Sequence, residues 1–267
     1  MEAGDKVEET IHKSSTPNIT KMGTEINRGI SALVYCDPGG GKTTMAARLP
    51  KDETLIINVE AGLGPLLGTG HSCFQLSKDL RDLTGIYKYL LTEDHPFKYV
   101  VLDNISELQE WFVLALTGMR KKDFAEIREH GDAMNKMRET LYNFRNLIEK
   151  NINVIFNAWE MSLEVEKTQD GIKTKLYPKL YKNLAPEVCG IVDMVGHLER
   201  YEKTEDRFVR FEGSEKLIAK SQYRGLDKFE PADWTYIFKK VRAWNYKKEK
   251  PIKITSKEEV QLIKGGN

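Results

Sequence analysis

The sequence predicts an α/β fold, in which a doubly wound, mainly parallel sheet is extended by antiparallel strands towards the carboxyl terminus. Two observations predict the parallel part: short apolar runs follow one another along the chain, and patterns typical of helices separate them. A third predicts the antiparallel part, because the last third of the chain alternates polar and apolar residues around turn dipeptides.

The elements follow in order. Residues 1–27 are polar without a sustained period, and we expect a flexible arm there. Residues 28–242 form the expected domain, and 243–267 a basic tail. The predicted parallel strands are 30–35, 55–59, 99–102 and 153–156, and the predicted helices are 42–49, 79–91, 106–117 and 132–149. Hairpins are expected over 162–176 and over 192–211, followed by a short run at 217–219 and a closing helix at 233–241.

The bulk properties limit the possible classes of protein. The chain has 267 residues and a net charge of +1, which indicates neither a nucleic-acid partner nor its absence. Its three cysteines form no C-x-x-C pair, so a disulfide scaffold or structural zinc site is disfavoured and a reducing compartment favoured. No run approaches the roughly 20 apolar residues of a membrane span. We therefore expect a soluble, cytoplasmic protein with no membrane partner.

A phosphate-binding loop is the strongest motif. It lies between a predicted strand and a predicted helix and comprises Cys36, Asp37, Pro38, Gly39, Gly40, Gly41, Lys42, Thr43 and Thr44. Glycines let backbone N–H groups turn towards an anion, and a helix amino terminus adds a positive dipole end. The loop matches G-x-x-x-x-G-K-[ST] except at the first position, where Cys36 replaces glycine. This motif predicts that the protein binds a nucleoside triphosphate, namely ATP.

The remaining parts of such a site can be assigned. Lys42 is expected to reach the β and γ phosphates, and Thr43 to bind Mg²⁺. Asp103 ends an apolar strand, as a Walker B acid does, and is the second predicted Mg²⁺ ligand; the alternative is a helix cap. Two acids compete for the role of general base. Glu60 ends a strand and is preferred, because strand ends open onto the ligand crevice, whereas Glu107 suits the first turn of a helix.

The predicted strand 153–156 is followed by a candidate phosphate sensor. Asn157 offers a polar side chain that could respond to the γ-phosphate, whereas Trp159 could donate only one N–H. Ordinary turn contacts remain the alternative for both residues.

These motifs, in this order, resemble those of the RecA-like ATPases, and in particular a phage-encoded group of AAA-domain proteins that act in single-strand annealing and recombination. The resemblance spans 27–242 and is carried by the segments 34–44, 58–63, 101–104, 153–156 and 218–225. It implies that Glu60 is the catalytic acid. It also implies that Lys220 and Arg224 act on the nucleotide of a neighbouring subunit, although three residues separate them where the family pattern has one.

The same resemblance implies partners. These are single-stranded DNA, further copies of the chain in a ring or filament, and a single-strand-binding protein, in a host cytoplasm if the chain is phage-encoded. Trp159 stands where this group often has histidine and RecA has glutamine, so hydrolysis is expected to be slow if that alignment holds.

A DNA-binding surface has two candidate segments. One is 239–253, where seven cations are interleaved with Trp244 and Tyr246; the other, less favoured, opens with the basic run 120–122. A solvated basic surface is the alternative in both cases. Two other functions stay open: a nucleotide-gated binding module with little hydrolysis, and a small-molecule or nucleotide kinase. The kinase is disfavoured because the 162–176 hairpin has no arginine to close over phosphates, and an AAA+ remodeller because strands replace the helical lid.

Overall fold

The computed structural model describes residues 26–60, 62–77, 80–119, 127–168, 171–181, 183–201 and 205–244. All of these residues belong to one unit of the chain. None of the helices within them is long and apolar enough to cross a membrane. Nearly all of the expected arm and of the expected basic tail lie outside the described residues, as does the basic run 120–122, so these assignments stay predictions.

Ten strands form a single sheet in the described part of the chain. They are β1 Ser31–Cys36, β2 Thr54–Asn58, β3 Ser72–Gln75, β4 Tyr99–Asp103, β5 Asn153–Thr168, β6 Gly171–Pro178, β7 Met194–Arg200, β8 Arg207–Arg210, β9 Lys220–Ser221 and β10 Phe229–Pro231. The order is β10-β8-β7-β1-β5-β4-β2-β3, with β6 paired to β5 and β9 paired to β7. All pairings from β7 across to β3 are parallel, whereas β6, β8, β9 and β10 pair antiparallel. The predicted fold class is therefore confirmed.

Six helices cover both faces of the parallel sheet in the described residues. They are α1 Lys42–Ala46, α2 Arg81–Thr92, α3 Ile105–Met119, α4 Ile127–Asn146, α5 Leu184–Ile191 and α6 Trp234–Ala243. Along β1, Leu33 and Tyr35 belong to the apolar cluster that includes α2 to α5, whereas Val34 and Cys36 belong to the cluster that includes α1 and α6. Side chains alternate between the faces of a strand, so a run that is apolar at every position indicates burial on both sides.

Strand β5 is longer than the sequence predicts. The expected strand 153–156 and the first half of the expected 162–176 hairpin are one continuous strand, Asn153–Thr168. Its first part is buried between β1 and β4, and its second part leaves the parallel core and pairs with β6. The change from an apolar run to alternation reflects burial on two faces and then on one, and it does not mark a chain break. Asn157 and Trp159 therefore lie within a strand and not at its tip.

Other differences concern short elements. Helix α1 ends at Ala46 and not at 49, and the chain continues in turns. The sequence analysis missed β3, α5 and β10. Strand β3 lies at the sheet edge with mostly exposed side chains, so it shows no apolar run. Helix α5 has eight residues, too few for a clear helical period, and β10 has three.

Candidate nucleotide-binding site

The phosphate loop joins β1 to α1 in a conformation that requires its glycines. Gly39 has φ of 77° and Gly41 has φ of 108°, both in the left-handed region that side chains disfavour. At Gly40 the limit is space, since an added Cβ would lie 2.4 Å from the Cys36 Sγ. The cysteine at the first motif position is therefore accommodated because the fifth position has no side chain. Since α1 has only five residues, the loop N–H groups have the main part in anion binding and the helix dipole a smaller one.

The Lys42 side chain contacts the backbone of this loop. Its side chain is buried, and its Nζ donates to the carbonyl oxygens of Cys36 at 3.0 Å and Asp37 at 3.1 Å. The Cys36 Sγ lies 3.4 Å from the same Nζ. Burial raises the pKa of the Cys36 thiol, and the nearby ammonium opposes this shift. The Lys42 ammonium thus lies against the loop backbone, and its contact with phosphates stays a prediction.

Thr43 and Asp103 are brought together at the carboxyl ends of β1 and β4. The Thr43 hydroxyl donates to the Asp103 carboxylate at 2.6 Å, and Asp103 is buried. Burial raises the pKa of Asp103, while the Thr43 hydrogen bond, Asn157 and the Lys42 charge oppose this. A hydroxyl and one carboxylate are the hard oxygen donors from which Mg²⁺ sites are built. No group of three or more His, Cys, Asp or Glu side chains forms a metal site in the described residues.

Glu60 follows β2 at the same edge of the sheet. The Asn58 amide donates to the Glu60 carbonyl oxygen and, at 2.7 Å, to the Gln75 side chain, which fixes this segment against β3. Burial raises the pKa of Glu60, and so do the charges of Asp103 and Glu107, whereas Lys42 lowers it. A half-buried carboxylate that keeps a proton more readily than usual is suited to general-base chemistry.

Glu107 lies in the first turn of α3, as predicted. Its Oε1 accepts a hydrogen bond from the Trp111 indole at 3.1 Å, and its N–H donates to the Asn104 side chain at 2.8 Å. The helix cap proposed as an alternative for Asp103 is therefore formed by the next residue, Asn104. The peptide bond between Asp103 and Asn104 is cis.

Asn157 lies beside the predicted Mg²⁺ ligands. Strand β5 separates β1 from β4, and its Asn157 is opposite Val34 on one side and Asp103 on the other. The side chain is fully buried, and its amide has no hydrogen-bond partner of good geometry in the described residues, although it is close enough to favour the charged form of Asp103. A buried amide without a full set of partners is costly in a structural role.

Trp159 contributes little polar chemistry. The Lys179 ammonium lies 5.0 Å from its ring centroid, and its backbone N–H donates to the Ser106 hydroxyl at 3.0 Å. Its neighbour Glu160 contacts His197 at 2.9 Å, and the His197 ring lies 4.9 Å from the Tyr35 ring. These contacts, which the sequence analysis missed, tie β1, β5 and β7 together next to the loop.

Lys220 and Arg224 lie away from the phosphate loop of their own chain. Lys220 is opposite Val195 in the pairing of β9 with β7, and its Nζ donates to the Gly190 carbonyl oxygen at 2.7 Å. Burial lowers its pKa. Arg224 follows Gln222, whose N–H bonds to Asp193 just before β7 begins. The structure thus does not bring these cations to the loop, and their action on a neighbouring subunit stays a prediction.

The described part of the predicted basic surface is used within the fold. Lys240 binds Asp227 at 2.6 Å and the buried Glu230 at 2.7 Å. Arg242 donates to the carbonyl oxygens of Ile26 and Arg28. The other cations of this segment, apart from the exposed Lys239, lie outside the described residues. Lys240 and Arg242 thus have structural contacts within the fold, and their expected role in binding DNA phosphates stays a prediction.

Arg207 is a site residue that the sequence analysis missed. It begins β8, and its Nε donates to the Gly40 carbonyl oxygen at 3.0 Å, although 167 positions separate the two residues. No motif connects residues so far apart, and only the pairing of β8 with β7 places the arginine against the loop.

Known proteins show similarity to this chain at two levels, a family model and solved structures. Residues 28–223 match the family model for an AAA domain. No curated protein matches the chain. Among solved structures the chain is similar to the RadB recombinase, with 16% identity and a TM-score of 0.42, covering 70% of this chain and 81% of that one. It is also similar to the flagellar accessory protein FlaH from Methanocaldococcus jannaschii, with 9% identity and a TM-score of 0.39, covering 70% and 80%. Because the family match covers most of the sequence, the protein belongs to the AAA domain family.

Proposed function

We propose that the protein is an oligomeric, Mg²⁺-dependent ATPase that acts on single-stranded DNA in recombination, annealing or repair. The observation that carries the ATPase part is the contact of Thr43 with Asp103 next to Lys42, since it assembles the expected donors for Mg²⁺ and phosphate from two separate strands. The DNA part is supported by the resemblance of the sequence motifs to RecA-like recombination proteins and by the basic composition of 239–253.

Each residue has a defined task in this mechanism. The loop N–H groups and the Lys42 ammonium bind the phosphates, and Thr43 and Asp103 hold Mg²⁺. Bound Mg²⁺ supplies positive charge that offsets the charge of the phosphates. Glu60 orients a water molecule and accepts its proton, and Asn157 senses the γ-phosphate from its place beside Asp103. Lys220 and Arg224 act on the nucleotide of the neighbouring copy, where a cation of this kind is worth roughly 10³ to 10⁵ in turnover.

The test is ATP hydrolysis with and without single-stranded DNA, at low and moderate salt. We expect stimulation by DNA that falls as salt rises, because phosphate contacts release counterions. Turnover that is indifferent to DNA would remove the DNA part of the proposal. Lys42→Ala should abolish ATP binding, with Lys239→Ala, an exposed position of α6, as the matched control. Binding that survives Lys42→Ala would remove the phosphate-loop assignment itself.

A second candidate is a nucleotide-gated binding module with little hydrolysis. The observation that favours it is Trp159, which lies under the Lys179 ammonium and presents no carboxamide or imidazole at the position where the resembling families have one. Tight ATP binding combined with negligible single-turnover hydrolysis, with or without DNA, would support this candidate over the first.

A further inference from the structure

Arg207 is held against the outside of the phosphate loop by two contacts. Its Nε donates to the Gly40 carbonyl oxygen, and its side chain packs on Gly41 so closely that an added Cβ there would lie 2.7 Å from Nε and 2.8 Å from Cδ. The backbone conformation at Gly41 favours glycine, and a side chain there would also displace Arg207. Tethering at Nε fixes the plane of the guanidinium group.

The terminal nitrogens of Arg207 have no partner among the described residues. In the described part of the chain, neither Nη atom has a hydrogen-bond or ion-pair partner, whereas Arg48, on the other side of the same cavity, donates to the Ala232 carbonyl oxygen at 3.1 Å. A guanidinium group that is fixed at one nitrogen and has up to four further N–H donors is pre-oriented for an oxygen-rich ligand, and it loses little side-chain entropy on binding.

A cavity of about 270 Å³ adjoins this arginine. It continues from Gly41 along Thr44 and Arg48, Glu205 and Asp206 contribute two carboxylates, and Phe208 and Pro231 form an apolar wall. Lys42, Thr43, Asp103 and Glu60 do not line it. The cavity is therefore distinct from the predicted Mg²⁺ and hydrolysis residues. Two arginines, two carboxylates, a hydroxyl and an aromatic ring can form hydrogen bonds and stacking contacts with the sugar and base of a nucleotide, and the carboxylates disfavour a further phosphate there.

We propose that Arg207 is a nucleotide-binding residue that acts in cis and holds the nucleoside end of the nucleotide in this cavity. The inference rests on the proposed ATP-binding function and adds to it a residue outside the motif. It also separates two kinds of cation: Lys42 binds the phosphates that any polyphosphate carries, whereas Arg207 contributes only when a nucleoside is attached.

The test is isothermal titration calorimetry of ATP, ADP and inorganic tripolyphosphate, each with Mg²⁺, on the full chain. For Arg207→Gln we expect ATP and ADP to bind about tenfold or more weakly, as the loss of charge-assisted hydrogen bonds predicts. Tripolyphosphate should bind within about twofold of the unchanged protein, because its contacts are those of Lys42 and the loop. Arg210→Gln is the matched control, since Arg210 lies on the same strand but donates to the Glu212 carbonyl oxygen.

Three results would overturn the proposal. Unchanged ATP and ADP affinity would show that Arg207 does not bind nucleotide. An equal loss for tripolyphosphate would show that the arginine only shapes the loop. The third concerns Arg207→Lys, which keeps the charge and replaces the glutamine variant if that variant unfolds. It should lower the affinity for ATP by a smaller factor and leave the affinity for tripolyphosphate unchanged. An unchanged affinity for ATP in Arg207→Lys would overturn the proposal. Failure of the unchanged protein to bind ATP or tripolyphosphate would instead refute the proposed function.

Discussion

The choice of Glu60 over Glu107 as general base can be tested by one pair of matched substitutions. Both side chains are carboxylates near Asp103, but Glu60 follows β2 at the crevice, while Glu107 accepts a hydrogen bond from Trp111. Glutamine at either position keeps the size of the side chain and removes the charge. Glu60→Gln should therefore remove the proton acceptor, whereas Glu107→Gln should keep the contact with Trp111.

The expected magnitudes differ. A positioned general base contributes roughly 10² to 10⁴ in rate, so Glu60→Gln should slow single-turnover ATP hydrolysis by about that factor. For Glu107→Gln the effect is on pH dependence. The Glu107 charge raises the pKa of Glu60, so its removal lowers that pKa. A base is active above its pKa, and the acid limb of the rate profile should therefore move to lower pH while the plateau rate is kept.

The assay is single-turnover hydrolysis of ATP across a series of pH values, with ATP affinity measured in parallel by calorimetry. Both variants should bind ATP with Mg²⁺ as the unchanged protein does. A normal rate in Glu60→Gln, or a loss of rate in Glu107→Gln that no pH restores, would refute the assignment and identify Glu107 as the base. An acid limb that stays in place in Glu107→Gln would refute the electrostatic coupling alone.

Three further substitutions separate function from stability. Asn157→Ala should retain ATP binding but slow hydrolysis at least about tenfold, because the amide lies beside the predicted Mg²⁺ ligands. Calorimetry measures the binding and single-turnover rates measure the hydrolysis. Loss of ATP binding would contradict the sensor role. Tyr35→Phe removes a buried hydroxyl that donates at 2.7 Å to a backbone carbonyl oxygen, and should lower the free energy of unfolding by about 1–2 kcal/mol in urea titrations, with the exposed Tyr236→Phe unchanged. Lys240→Met leaves the buried Glu230 carboxylate without its cation and should lower the free energy of unfolding by about 3 kcal/mol or more. Lys239→Met, at an exposed position, should lower it by less than about 0.5 kcal/mol. Equal losses in the two variants would contradict a structural role for Lys240.

The parts of the fold that the sequence predicts are those governed by local patterns. Apolar runs indicate β1, β2 and β4 because both faces of these strands are buried. The glycine, lysine and threonine of the loop are predictable because a phosphate-binding backbone needs those residue types at that spacing. Asp103 and Glu60 follow from their place at strand ends, where parallel strands open onto one crevice.

The parts that escape prediction depend on contacts between distant segments. The continuity of β5 depends on its pairing with β6, which a change of pattern near Ala158 conceals. The position of Arg207 on Gly40 depends on the pairing of β8 with β7, and nothing in its neighbourhood in the chain indicates it. The same holds for Lys240. Its sequence neighbours predict a basic surface, whereas the fold places it against Asp227 and Glu230.

In the proposed function, nucleotide binding and hydrolysis have different requirements for neighbouring copies. Lys42, Thr43 and Asp103 come from one chain, and the proposed Arg207 contact comes from the same chain. Lys220 lies level with Leu33 of β1 through Val195, so Cys36 is three residues, about 10 Å, further along the strand. A lysine held at that level cannot reach the phosphates of its own chain, and its predicted contribution to turnover requires a second copy. It follows from this proposal that single copies bind nucleotide and only assembled copies hydrolyse it efficiently, so that assembly controls hydrolysis.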